Sequence, residues 1–207
     1  MEDLDKMKLP SHAHGVHFGE AEAKFFSAHP DGIVIGLDEA ARGTLAGSMY
    51  GAGIALDKDG FERIREFVYD SKLTRTPTLR KHMAETIQSN SVSIHVSRIT
   101  VDEINAGDNL DFLNRKVLQD ALDGTLAGMP SRKCAPTLVL CDSTRLRPVY
   151  NGNPVDVYIK GERLHASIAA ASLLAKSAFD DEVAELHKLY PRYNFLAHSG
   201  YGTASHL

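Results

Sequence analysis

Apolar positions along the chain fall into two rhythms. Ile33 to Leu37 and Thr137 to Cys141 are short, nearly unbroken apolar runs that read as buried strands. Ser91 to Ser97 alternates, with Val92, Ile94 and Val96 on one expected face. Leu45 to Leu56 reads as a further strand, rich in small residues and interrupted by Gly47, Gly51 and Gly53, with Asp57-Lys58-Asp59-Gly60 closing it as a turn. Val155 to Ile159 is another strand. Helical spacing marks Glu20 to Ala28, Phe61 to Val68, Thr76 to Ser89 and Leu110 to Ala127, and an Ala-rich helix is expected from Glu162 to Leu189. From Ile33 onward the order is β-β-α-α-β-α-β-β-α, an α/β layout with a mixed sheet.

Composition narrows the class without naming a function. A chain of 207 residues suffices for one domain with a substantial core, so a single domain over 1–207 is expected, opened by a tail and a short helix to about residue 30. With 23 basic and 27 acidic residues, the net charge of -4 does not advertise a nucleic-acid binder. It does not exclude one, because a basic rim around an acidic site is diluted in the total. Cys134 and Cys141 make no disulfide framework, which favours a reducing cytoplasmic setting. No apolar run reaches membrane-spanning length, and Met1 to Pro10 is too charged for a signal peptide. His12, His14 and His17 read as solvated histidines of the tail, lacking the further ligands a metal site requires.

Chemistry is expected where apolar strands stop at acids. Leu37 is followed by Asp38 and Glu39, and Cys141 by Asp142. If the two strands are parallel neighbours, their acids emerge at the carboxyl edge of the sheet, where open α/β sheets bind ligands. Adjacent residues of a strand face opposite ways, so Asp38 and Glu39 serve one centre only if the backbone bends, and Ala40-Ala41-Arg42-Gly43 offers a bend with Gly43 as its free residue. Carboxylates ~5 Å apart repel by about 3 kcal/mol per pair at an effective dielectric of ~20. A cluster therefore calls for cations, and oxygen ligands without Cys or His favour Mg²⁺ or Mn²⁺ over zinc.

Five separated blocks, in one order, resemble the type 2 ribonuclease H family, also called ribonuclease HII. They are Gly36-Leu37-Asp38-Glu39-Ala40-Ala41-Arg42-Gly43-Thr44-Leu45-Ala46-Gly47, Asp70-Ser71-Lys72-Leu73-Thr74, and Leu138-Val139-Leu140-Cys141-Asp142. Lys160-Gly161-Glu162 with Ala166 to Lys176 follows, and then Tyr190-Pro191, His198 and Gly200-Tyr201-Gly202-Thr203. The resemblance spans about Ile33 to Leu207. It implies a ribonuclease H-like fold, a mixed five-stranded sheet flanked by helices, with a shortened C-terminal region.

Carried over by position, the family's metal-binding carboxylates fall on Asp38, Glu39, Asp142 and Asp180, the last four residues after Lys176. Two divalent ions, Mg²⁺ or Mn²⁺, about 3.5–4 Å apart would flank the scissile phosphate. The implied substrate is the RNA strand of an RNA–DNA hybrid, or ribonucleotides embedded in duplex DNA. The implied products carry 5′-phosphate and 3′-hydroxyl ends. Ala41, Arg42 and Gly43 would read the ribose 2′-hydroxyl, Tyr201 would stack on the next sugar, and Lys72 and Lys160 would meet phosphates. A monomer is expected. Ala41 stands where the family has Gly, and its methyl is expected to bar a positive φ or to crowd the 2′-hydroxyl. Thr44 replaces a Pro, Glu162 replaces an Asp, and Phe179 and Asp181 flank Asp180 where Arg is usual. These departures, with the early stop at Leu207, keep a second reading open, a hybrid-duplex binder with weak or lost turnover. The sister type 3 enzymes fit less well, since they place Glu at the Asp180 position and carry an extra N-terminal domain.

Overall fold

The computed structural model describes residues 18–68, 76–107, 109–130, 135–142 and 144–204. His12, His14 and His17, and the Asp70–Thr74 block with Lys72, lie outside the described residues. In chain order the first half comprises α1 (Glu20–Ala28), β1 (Ile33–Ala40), β2 (Met49–Leu56), α2 (Lys58–Ile64), α3 (Pro77–Ser89), β3 (Ser93–Ile99) and α4 (Val101–Asn105). The second half comprises α5 (Leu110–Gly128), β4 (Thr137–Asp142), β5 (Val149–Tyr150), β6 (Asn153–Pro154), β7 (Asp156–Tyr158), α6 (Ala166–Leu189) and α7 (Phe195–His198), with 3₁₀ turns at Gly161–Arg163 and Pro191–Tyr193. The main sheet has the order β3-β2-β1-β4-β7. β1 pairs antiparallel with β2 and parallel with β4, which makes the sheet mixed as the sequence implies.

β1 is buried on both faces, and its alternation decides what each face meets. Ile33, Ile35 and Leu37 pack with Leu113, Val117, Leu118 and Leu122 of α5. Val34 and Ala40 pack with the Ala-rich start of α6. Gly36 lets α6 come close, because a Cβ there would lie 2.2 Å from the Ser167 backbone. On the other face, a Cβ at Gly51 or Gly53 of β2 would come within 2.7 Å of Val117 O or 2.8 Å of Ala121 O. The small residues that looked like interruptions of β2 are thus the condition for seating α5.

The structure corrects several boundaries and one phase. β2 begins at Met49 rather than Leu45, because the residues before it form a turn. Asp57 N-caps α2 by accepting from Gly60 N at 2.9 Å, so the expected turn is the first turn of a helix. α6 begins at Ala166, and the Glu162 region forms a separate 3₁₀ turn. In β3 the residues turned to the core are Ser93, Ser97 and Ile99, while Val96 is exposed. α5 lies so near the sheet that small hydroxyls fit there. Ser93 Oγ donates to Thr125 O at 2.8 Å, and Ser97 Oγ donates to Val117 O at 2.6 Å.

Candidate active site

The parallel register of β1 and β4 assembles the acids. Leu37 stands opposite Cys141, so the next residues along both strands, Asp38 and Asp142, are neighbours at the carboxyl edge. Both project to the α6 side. Ser172 of α6 hydrogen-bonds Asp38, and Lys176 Nζ, one turn on, donates to Ser172 Oγ at 3.0 Å. Gly161 N donates to Asp142 Oδ1 at 2.7 Å, which ties the 3₁₀ turn to the second acid. The sequence suggested only close packing for Ser172. Its hydroxyl in fact links Lys176 to Asp38.

Glu39 follows Asp38 on the opposite face of β1, yet it belongs to the same electrostatic group. Its backbone N–H donates to Asp38 Oδ1 at 2.8 Å. Burial, and then the Asp142 charge, push the Glu39 carboxyl up to about 7. Burial, then Glu39, then Asp142 raise Asp38 well above the usual carboxylate range, against the lowering effect of Ser172 and Lys176. Burial followed by the same three acids raises the Cys141 thiol. Glu39 Oε2 is buried with no hydrogen-bond partner. A buried carboxylate oxygen without a donor is a costly arrangement that a hard cation would relieve. Among the described residues, no three His, Cys, Asp or Glu side chains stand close enough to coordinate one ion as they are placed. Mutual repulsion of uncompensated carboxylates opposes that last approach.

Asp180, the remaining expected acid, is engaged by a cation. It lies one turn beyond Lys176, but Arg80 of α3 holds it through Nε to Oδ2 at 2.5 Å and Nη2 to Oδ1 at 2.8 Å. Arg80 supplies the cation that the missing arginines beside Asp180 seemed to remove. Glu162 is the acid that the sequence reading passed over. Its side chain is 3% exposed, and it directly follows Gly161, the residue bonded to Asp142. The available signal was its position in the Lys160-Gly161-Glu162 block, where the family carries another acid.

The bend after the acids turns on Ala41, not on Gly43. Ala41 adopts φ 67 and is buried, so the methyl does not bar the left-handed conformation. Gly43 is not among the positive-φ residues and opens on empty space. Thr44 closes the turn by donating from Oγ1 to Ala41 O at 2.9 Å. Arg42 pairs with Asp111 at the start of α5. Ser48, at the exit of the turn, is held by Glu182 through N and Oγ, each at 2.8 Å, with Arg98 Nε donating to Ser48 Oγ at 2.9 Å. Leu45 N donates to Gly200 O at 2.8 Å, which brings the segment of the half-exposed Tyr201 beside this turn. Lys160 is exposed in a left-handed conformation at the edge of the acid group.

A sequence model described as Ribonuclease HII matches residues 35–207. The chain belongs to the ribonuclease HII family. A ribonuclease HII of Paracidovorax citrulli is 39% identical over 179 residues, covering 86% of this chain and 69% of that protein. The ribonuclease H2 of Pyrococcus horikoshii superposes with a TM-score of 0.68 at 24% identity, covering 83% of this chain and 82% of that one. Bst-RNase HIII, solved in complex with Mn²⁺, superposes with a TM-score of 0.62 at 17% identity over 79% of this chain and 56% of that one. These structural likenesses establish the fold, and the sequence match establishes the family. As a ribonuclease HII family member the chain is an endoribonuclease of the ribonuclease H type, a hydrolase.

Proposed function

We propose that this chain hydrolyses the RNA strand of RNA–DNA hybrids, or ribonucleotides embedded in duplex DNA, with two divalent cations, Mg²⁺ or Mn²⁺. The observation that carries this reading is the adjacency of Asp38 and Asp142 across β1 and β4, with Glu39 sharing their field. Asp38, Glu39 and Asp142 are the residues that would hold the ions. Divalent cations bound there supply charge neutralisation at the scissile phosphate and a nucleophilic water at neutral pH. The fourth carboxylate we assign is Glu162, because the pairing of Asp180 with Arg80 gives Asp180 a structural role.

The protein's own groups provide the rest. Lys176 and Ser172 orient the Asp38 carboxylate. The left-handed turn at Ala41 supports a reading in which backbone groups of Ala41, Arg42 and Gly43 meet a 2′-hydroxyl, the atom that distinguishes RNA from DNA. Tyr201, held beside that turn, offers its ring to the adjoining deoxyribose. Lys160, and Lys72 outside the described residues, are assigned to backbone phosphates, as is Arg42. Cleavage leaves a 5′-phosphate and a 3′-hydroxyl.

The test is cleavage of duplexes carrying one, four or many ribonucleotides, with Mg²⁺ and with Mn²⁺. Asp142→Asn is expected to abolish cleavage while the fold persists. Glu162→Gln is expected to lower activity far more than Asp180→Asn, whose cost falls on stability. Cleavage that survives Asp142→Asn would sink the reading. Hybrid binding by the wild type, with no product under either metal, would favour a binding protein instead.

A further inference from the structure

A buried polar link joins α1, which precedes the family-matching span of 35–207, to the turn beside the acids. Glu22 of α1 is fully buried and belongs to no ordinary core. Its Oε1 accepts from Ser167 N at 3.2 Å and from Ser167 Oγ at 3.0 Å. Its Oε2 faces His165 Nδ1 at 3.2 Å, so the ring proton lies on that nitrogen and is donated to the carboxylate. His165 is the residue before α6, and its own side chain caps nothing there. Glu22 therefore serves as a long-range cap, an anion set against the free amides at the start of a 24-residue helix.

The same contacts grip the catalytic turn. Gly161 O accepts from His165 N and from Leu164 N, each at 2.9 Å. Gly19, just before α1, donates to Leu164 O at 2.8 Å. Gly161 N points the other way, onto Asp142 Oδ1. The His165 ring is wedged edge-on against Tyr158 of β7, centroids 4.2 Å apart, which stops it from swinging out of the link. A continuous set of bonds thus runs from Glu22 through His165 and Gly161 to Asp142.

We propose that Glu22 is a positioning residue of the active site, which through His165 and Ser167 fixes the Lys160–Gly161–Glu162 turn against Asp142. α1 is then part of the catalytic apparatus. The proposal rests on the function proposed above for that site. Ligand-orienting partners of this kind alter metal affinity or activity by about 10–100-fold when removed.

The test uses the full chain with Glu22→Ala, Glu22→Gln and His165→Ala. In metal-free protein, Glu22→Ala is expected to speed amide exchange across 160–167 by about tenfold or more while β2 keeps its protection. With metal and a hybrid duplex, its kcat is expected to fall about 10–100-fold with KM little changed, and Mn²⁺ affinity measured by calorimetry to fall with it. Glu22→Gln keeps an acceptor for the Ser167 amide and is expected to recover most of both. Should Glu22→Ala fail to fold, His165→Ala decides, by a lowered kcat at constant KM or by none. Folded Glu22→Ala with wild-type kcat and Mn²⁺ affinity overturns the link, as does evenly spread exchange with unchanged kcat per folded molecule. A wild type that cleaves no duplex under either metal overturns the functional reading instead.

Discussion

Ala41 and Glu39 both carry local tension at the site. Ala41 holds φ 67, a conformation that costs an L-residue about 1–2 kcal/mol relative to helix or strand. Ala41→Gly relieves that strain, offset in part by the greater freedom of Gly in the unfolded chain, and is expected to raise stability by about 1 kcal/mol in a denaturant titration. Since the turn already has the left-handed shape, cleavage at a single embedded ribonucleotide is expected to change little. Glu39 is the second. Its folded-state pKa of about 7 lies above the ordinary 4.5, so its contribution to stability is fully present below pH 4.5 and is lost as pH rises through 7. The shift corresponds to about 3 kcal/mol. With metal chelated, Glu39→Gln is expected to be more stable than wild type at pH 8 by up to that amount, with the difference gone near pH 4. Thermal melts across pH 4–8 check this. A Glu39→Gln protein equally unstable at pH 8 would show that the buried carboxylate is relieved some other way.

At the scale of elements, the site depends on β1 and β4 ending together and on α6 lying close against them. Gly36 is the contact that permits the second. A methyl there would strike the Ser167 backbone, which is not a flexible side-chain end that can move aside. Gly36→Ala is expected to destabilise the protein by about 3 kcal/mol and to lower cleavage with it, by displacing Ser172 and Lys176 from Asp38. Measuring the urea midpoint beside activity separates the two effects. The long elements were legible because their periodicity is strong, as in α3, α5 and α6. Others were missed for want of apolar signal. α4 is five residues long with no buried member, and its evidence is the capping pair of Thr100 and Glu103. β5 and β6 pair over two residues each and face solvent or half-burial. The phase of β3 was misread because its core face is built from Ser93 and Ser97, which follow how near α5 lies rather than hydrophobicity.

For the molecule as a whole, a repelling group of acids at one sheet edge is expected to make stability depend on bound cations. A cation that binds only the folded state stabilises by about 2.7 kcal/mol at a hundredfold excess over its Kd. Mn²⁺ is expected to raise Tm by roughly 5–10 °C in wild type, and Asp142→Asn to lose most of that rise. Among the described residues no helix is long and apolar enough to cross a membrane. The sequence by itself determined the alternation of strands and helices, the family and the acids that end β1 and β4, because these rest on residue type and spacing within single segments. The tertiary structure alone decided that Arg80 captures Asp180, that Gly161 bonds Asp142, and that Glu22 reaches the start of α6. Each of those is a contact between segments far apart in the chain, and pairing over such distances is settled by packing, which local pattern does not encode.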